Sequence, residues 1–176
     1  MKISTINIIG RGNVAFHYHK IMKEKGYEVR IIPSRKEFVL DDVESDVVII
    51  AVKDDAIREV LNRLPRVKTL LLHTSGFTPS EILSQKADNY GCLYPLQSLN
   101  KKKNIDFLKV PLCFYVNNED YLECLKAFAE SLSVLTCFLS YEQRQYLHIS
   151  AVFANNFTNH LFGISKEILD RNNIPF

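Results

Sequence analysis

Short apolar runs alternate with amphipathic stretches from the start of the chain to about Leu139, and this alternation predicts parallel strands joined by helices, an α/β chain. Ile3 to Ile9 reads as a first strand and Asn13 to Lys25 as the helix behind it. Glu28 to Ile32 is a second strand, followed by a short stretch around Phe38 to Val43. Asp46 to Val52 is apolar after its first residue, which is the mark of a central strand covered on both faces. Asp54 or Asp55 is placed to cap the next helix, which ends near Leu64-Pro65. Thr69 to His73 is another strand. Thr78-Pro79-Ser80-Glu81 then reads as a helix start, with a capping residue, proline at the first position and a capping-box glutamate. Cys92 to Tyr94, Leu112 to Val116 and Val134 to Leu139 are three more strands, with a helix from about Asp120 to Leu132, so that a sheet of about seven or eight strands is expected.

Ser140-Tyr141-Glu142-Gln143 is a further capping box and opens the longest helical stretch, which meets no proline until Pro175. The pattern therefore divides the chain into residues 1–139, a nucleotide-type domain, and residues 140–176, the start of a helical domain. The apolar residues of this stretch wrap widely and the sequence supplies no partner for them. It reads as a helix cut short or paired with another chain, and a homodimer through it is expected.

The turn between the first strand and its helix is Gly10-Arg11-Gly12-Asn13-Val14-Ala15. Gly10 suits a tight strand-to-helix turn, Gly12 a close approach of backbone to a pyrophosphate, and Ala15 is the small residue that close helix-sheet packing tolerates. Free N–H groups and the positive end of the helix dipole would attract the phosphates. Dinucleotide binding is thus set against an ordinary glycine turn, and the flanking strand and helix favour the former. A carboxylate expected about twenty residues on, to hold an adenosine ribose, is missing. Ser34-Arg35-Lys36 stands there instead. A guanidinium grips phosphate through paired hydrogen bonds, so Ser34 and Arg35 point to the 2′-phosphate of NADP rather than to NAD, with Arg11 adding charge.

Composition adds limits rather than a function. A chain of 176 residues with 47% hydrophobic residues holds one ordinary domain and the beginning of another. The formal charge of +2 leaves no footprint for nucleic acid, and Lys101-Lys102-Lys103 reads as a solvated loop. No apolar stretch reaches membrane-span length and no leader pattern precedes the first strand, which leads to the expectation of a cytoplasmic protein. Cys92, Cys113, Cys124 and Cys137 lack a C-x-x-C spacing and read as reduced, structural residues. No histidine and carboxylate set has metal-site spacing, so no metal is expected. His17 and His19 read as surface residues.

At one hundred degrees per residue, His148, Asn155 and Asn159 fall within about forty degrees of one another on the long helix. Phe153, Phe157, Leu161, Ile164 and Ile168 spread over the remaining circumference, so the polar stripe is expected to be partly enclosed. It would hydrogen-bond either a ligand or polar groups in a helix interface. Two loops at strand C-termini carry the other candidates, where ligands bind in open parallel sheets. In His73-Thr74-Ser75-Gly76 the hydroxyls of Thr74 and Ser75 could hold a substrate or a nicotinamide carboxamide; in Tyr94-Pro95-Leu96-Gln97-Ser98, Tyr94 or Gln97 could face a substrate. Ordinary turn chemistry also accounts for the glycine and the proline.

Taken together, Gly10-Arg11-Gly12-Asn13-Val14, Ala51-Val52-Lys53-Asp54-Asp55-Ala56-Ile57, His73-Thr74-Ser75-Gly76, Tyr94-Pro95-Leu96-Gln97, Glu142-Gln143-Arg144, His148 and Ala151 to His160 resemble the Rossmann-like oxidoreductases that carry a C-terminal domain of unknown function, number 2520. Members of that family resemble the wider superfamily of pyrroline-carboxylate reductases, ketopantoate reductases and hydroxyacid dehydrogenases. The resemblance implies a Rossmann-type doubly wound, mostly parallel sheet followed by the first long helix of an all-helical second domain that often dimerises. It implies NADP held by Gly10, Arg11, Gly12, Asn13, Val14, Ser34, Arg35, Val52, Lys53, Thr74 and Ser75. Hydride transfer to or from a small carbonyl or imine would take place near Ser75, Tyr94, His148, Asn155 and Asn159. The hydroxyacid dehydrogenases set a catalytic lysine four residues before an asparagine of the corresponding helix, whereas here Ala151 precedes Asn155 and Asn155 precedes Asn159. His148, whose imidazole can give and take a proton, would replace it as proton donor. The missing lysine keeps two alternatives open: an NADP-holding sensor or scaffold without turnover, and hydride exchange between NADP and a flavin-type carrier.

Overall fold

The computed structural model describes residues 2–175. Seven strands form one sheet in the order β2-β1-β3-β4-β5-β6-β7. They are β1 (Thr5–Ile9), β2 (Glu28–Ile32), β3 (Val47–Ile50), β4 (Val67–His73), β5 (Ala87–Pro95), β6 (Leu112–Val116) and β7 (Thr136–Phe138). The strands from β2 to β5 run parallel; β6 pairs antiparallel with β5, and β7 parallel with β6. This is a doubly wound sheet of the Rossmann type, and its order reverses between β1 and β3, where ligands of such sheets bind.

Alternation along the strands separates two cores. Ile6, Ile8, Ile49 and Leu72 meet helices α1 (Asn13–Glu24) and α3 (Leu122–Leu132), whereas Ile9, Val48, Ile50 and Leu71 meet α2 (Ile57–Arg63) on the other face. All four residues of β3 are fully buried, as its unbroken apolar run required. Strand β5 starts at Ala87, earlier than expected, because its polar first residues still pair with β4. Its partner β6 meets it over Gly91 to Pro95.

Several local readings are corrected. Neither Asp54 nor Asp55 caps by side chain: residues Asp54–Ala56 form a single 3-10 turn ahead of α2. Thr78-Pro79-Ser80-Glu81 does not open an α-helix with a capping box. The segment Ser80–Gln85 is 3-10 and uncapped, since β5 follows almost at once. His17 is buried rather than on the surface, its Nε2 lying 3.0 Å from the carbonyl oxygen of Asn100. The capping box at Ser140 is present in full, with Ser140 Oγ accepting from the Gln143 N–H and Gln143 Oε1 accepting from the Ser140 N–H.

That box opens α4 (Tyr141–Ala151), which passes through a π-helical turn at Val152–Phe157 into α5 (Thr158–Arg171). The expected partial enclosure of the polar stripe is met only at His148, which is half-buried, while Asn155 and Asn159 are exposed; Phe153, Phe157, Leu161 and Ile168 are more than half exposed and no residue of α5 is buried. Among the described residues nothing lies beside the helix beyond the π turn to cover them. No described helix is long and apolar enough to cross a membrane.

Candidate functional site

The C-terminal ends of the strands carry two clefts that share Val14 as a common wall. The first, of about 740 Å³, is lined by Arg11, Gly12, Asn13 and Val14 from the glycine turn and the start of α1. Ser34 and Arg35 reach it from the end of β2, and Ala51, Val52, Lys53 and Ala56 from the end of β3. Leu99 and Lys101 arrive from a distant loop.

Two glycines of the turn differ in what requires them. Gly10 has φ +135°, and a Cβ there would stand 2.2 Å from the Ala51 carbonyl oxygen, so the fold itself demands glycine. A Cβ on Gly12 would come no nearer than 3.9 Å to any atom. Its missing side chain leaves open space over the N-terminus of α1, which no side chain caps. This space suits a bound pyrophosphate. Ala15 is fully buried against the sheet.

The loop after β2 is shaped by residues that do not line the cleft. Arg63 donates to the carbonyl oxygens of Ser34 at 2.7 Å and Lys36 at 2.8 Å and lies over the Phe38 ring. Lys36 is drawn inward to Asp42 at 2.7 Å, where Arg30 also binds. Burial alone would raise the Asp42 carboxyl, but the Lys36 hydrogen bond, the Val39 N–H and the nearby cations hold it below its usual range. Arg35 is therefore the cation that this loop leaves to the cleft. With Arg11, Lys53 and Lys101 it makes a wall of four cations and no carboxylate. Lys101 is exposed in a turn, as its sequence implied, and in addition its Nζ donates to the Arg11 carbonyl oxygen and its N–H to Asn13 Oδ1 at 3.3 Å. Its local sequence carried no signal for this, since the contact spans 90 residues.

The second cleft, of about 410 Å³, lies between the ends of β4 and β5 and the face of α4. Val14, Pro95, Leu96, Ala151 and Val152 form its apolar wall. Thr74, Gln97, Ser98, Asn155 and Asn156 supply polar groups. At its centre Tyr94 Oη and His148 Nδ1 are 2.7 Å apart. Burial pushes the Tyr94 phenol up to about 12; Cys113, Cys92 and Asp54 add to the rise and the Arg144 charge opposes it. The phenol thus keeps its proton at neutral pH. A neutral His148 with its proton on Nε2 accepts from Tyr94, and a protonated His148 donates to Tyr94 and frees the phenol proton for a ligand.

Gly76 makes room for this pair. A Cβ there would lie 2.7 Å from Tyr94 Cζ and 2.8 Å from His148 Nδ1. One turn before His148, Arg144 is 1% exposed and donates to the Thr78 carbonyl oxygen at 2.8 Å, tying α4 to the loop after β4. Its Nε and Nη1 have no hydrogen-bond partner among the described residues. Neither Gly76 as a spacer nor Arg144 as an anchor was evident from local pattern.

The other expected residues are placed as follows. Thr74 lines the second cleft, while Ser75, expected in the site, lines neither cleft: it is buried and its hydroxyl accepts from the N–H groups of Phe77 and Thr78 at 3.1 and 2.8 Å. His73 is fully buried. Its Nδ1 accepts from the Ser75 N–H at 3.1 Å, which leaves Nε2 to donate to Ser80 Oγ at 3.1 Å. Burial, reinforced by the Arg144 charge, drives the His73 pKa down to about 3. Asn155 donates to Ser98 Oγ at 3.2 Å and accepts from Asn159 at 3.1 Å, so Asn159 orients Asn155 from outside the cleft. The cysteines are free thiols. Among the described residues no group of three His, Cys, Asp or Glu could hold a metal ion.

The resemblance read from the sequence is met by comparison with known proteins. Residues 110–176 match the family described as Domain of unknown function (DUF2520). The chain is similar to a protein from Bacteroides fragilis that is named provisionally as an NADP oxidoreductase. The identity is 29%, over 98% of this chain and 74% of that one, with a TM-score of 0.85. Likeness in fold alone extends to a 1-pyrroline-5-carboxylate reductase from Streptococcus pyogenes, at 17% identity over 97% and 71% of the two chains with a TM-score of 0.73. It extends also to a semialdehyde dehydrogenase NAD-binding protein from Cupriavidus necator in complex with calcium and NAD, at 16% identity over 99% and 77% with a TM-score of 0.71. No curated protein matches the chain.

Proposed function

We propose that this chain, whose C-terminal part matches DUF2520, is an NADP-dependent oxidoreductase acting on a small carbonyl or imine compound. The observation that carries the reading is the pair of clefts meeting at Val14, one walled by cations and the other centred on a hydrogen-bonded tyrosine and histidine. Gly12 and the N-terminus of α1 would take the pyrophosphate, and Ser34 and Arg35 the 2′-phosphate, with Arg11, Lys53 and Lys101 adding charge. When bound, the nicotinamide would supply a hydride equivalent. Tyr94 and His148 would deliver the matching proton to the substrate oxygen or nitrogen, His148 reprotonating the phenol. Asn155, fixed by Ser98 and Asn159, would orient the substrate.

A second copy of the chain would cover α5, whose apolar side chains wrap too widely for one domain to enclose.

Calorimetric titration tests the cofactor reading. NADP should bind more tightly than NAD, and Arg35→Ala should weaken NADP by about tenfold or more while leaving NAD nearly unchanged, the loss of a charge-assisted bidentate contact. Equal affinities of the unmodified chain for the two nucleotides would overturn it.

A further inference from the structure

The two clefts differ in fixed charge, and the difference bears on what the second one accepts. The nucleotide cleft presents Arg11, Arg35, Lys53 and Lys101. The cleft at Tyr94 has no aspartate, glutamate, lysine or arginine in its wall. Arg144, on the same helix as His148, is not in this wall; it is almost fully buried and bonded to Thr78. What the wall does present is a cluster of amides and a hydroxyl, Gln97, Ser98, Asn155 and Asn156, facing Leu96 and Val152.

We infer that the second cleft selects an uncharged carbonyl compound, an aldehyde or ketone bearing amide or hydroxyl groups, over a keto acid or a protonated imine. This rests on the proposed function and narrows its substrate class. With His148 neutral, a carboxylate entering the cleft would give up hydration and find only dipoles in exchange, with no guanidinium or ammonium in the wall to pair with. An iminium would meet the same lack, since no carboxylate lines the wall. A neutral carbonyl with polar substituents loses less hydration, and the amides offer both donors and acceptors to replace it. The apolar wall takes the remainder of the skeleton.

The test uses the 176-residue chain with three probes of one carbon skeleton: a hydroxyketone, the corresponding keto acid and the corresponding primary amine. Binding is followed by ligand-observed saturation-transfer NMR, with and without NADP, and NADP binding separately by calorimetry. The hydroxyketone should bind at least about tenfold more tightly than either charged probe. Gln97→Arg, which places a cation in the wall, should narrow or reverse the gap to the keto acid by about tenfold and leave the amine excluded. A keto acid or amine that matches the ketone on the unmodified chain would overturn the inference. So would the absence of binding by all three probes while NADP binds, with the cofactor reading left intact. If NADP fails to bind and the ketone preference is still seen, the cofactor reading falls and the selectivity of the cleft stands.

Discussion

The sheet and helix α5 carry the same kinds of side chain and treat them in opposite ways. Ile8, Val48 and Leu72 are fully buried, while Leu161, Phe162 and Ile168 are 64%, 61% and 57% exposed. Hydrophobicity is equal; neighbours are not. The central strands β1, β3 and β4 pack on both faces of the sheet, whereas α5 leaves the sheet domain after its π turn and meets nothing within the described chain. Burial energy belongs to a facing pair of surfaces and not to a residue type. The cleft at Tyr94 and His148 sits where these two regimes join, at the anchored end of α4.

The sharpest test of the closed side is its tightest turn. Gly10→Ala combines a disfavoured φ with a Cβ 2.2 Å from a backbone oxygen, and should cost about 3 to 5 kcal/mol in denaturant unfolding. Gly12→Ala has no such clash within the chain. It should fold normally and lose nucleotide affinity, a contrast that would vanish if the turn were merely structural.

Next in size, Leu72→Ala should remove about 2 to 5 kcal/mol, as for any fully enclosed leucine. The same change at Leu161 should stay within about 0.5 kcal/mol for the single chain. Leu161→Asp sharpens the point. If a second copy covers α5, light scattering should show a dimer for the unmodified chain and a monomer for this variant.

Acid should weaken the sheet domain through His73. Its pKa is depressed from 6.5 to about 3, so the unfolded chain binds the extra proton in that window, and stability falls as pH drops below about 6.5. The loss by pH 5 is on the order of 2 kcal/mol. His73→Gln, which takes up no proton there, should flatten the slope of unfolding free energy against pH over this range.

At the junction, Gly76→Ala should cost about 1 to 3 kcal/mol, because Tyr94 or His148 must move from their present places. The break between them should be visible as a changed imidazole nitrogen shift of His148 by NMR. An unchanged shift would show that the pair does not depend on Gly76.

Local pattern was enough for the alternation of strands and helices, for the glycine turn with its small Ala15 and for the capping box at Ser140. Each of these is a property of neighbouring residues: a period, a permitted φ, a hydroxyl within reach of the next turn's N–H groups. It misjudged the starts at Asp54, where a 3-10 turn leads into α2 without a side-chain cap, and at Thr78, where the whole segment took 3-10 geometry. The stripe of His148, Asn155 and Asn159 was legible as a face of a helix; its openness was not. What only the tertiary structure decided was which distant groups share a cleft. Lys101 reaches the glycine turn from 90 residues away, Asn100 seals His17 from 83, and Tyr94 meets His148 across 54 with Gly76 spacing them. Sequence periodicity records the side of an element on which a residue lies. The partner on that side is set by how elements stack, and that depends on contacts between segments whose order along the chain does not encode their distance.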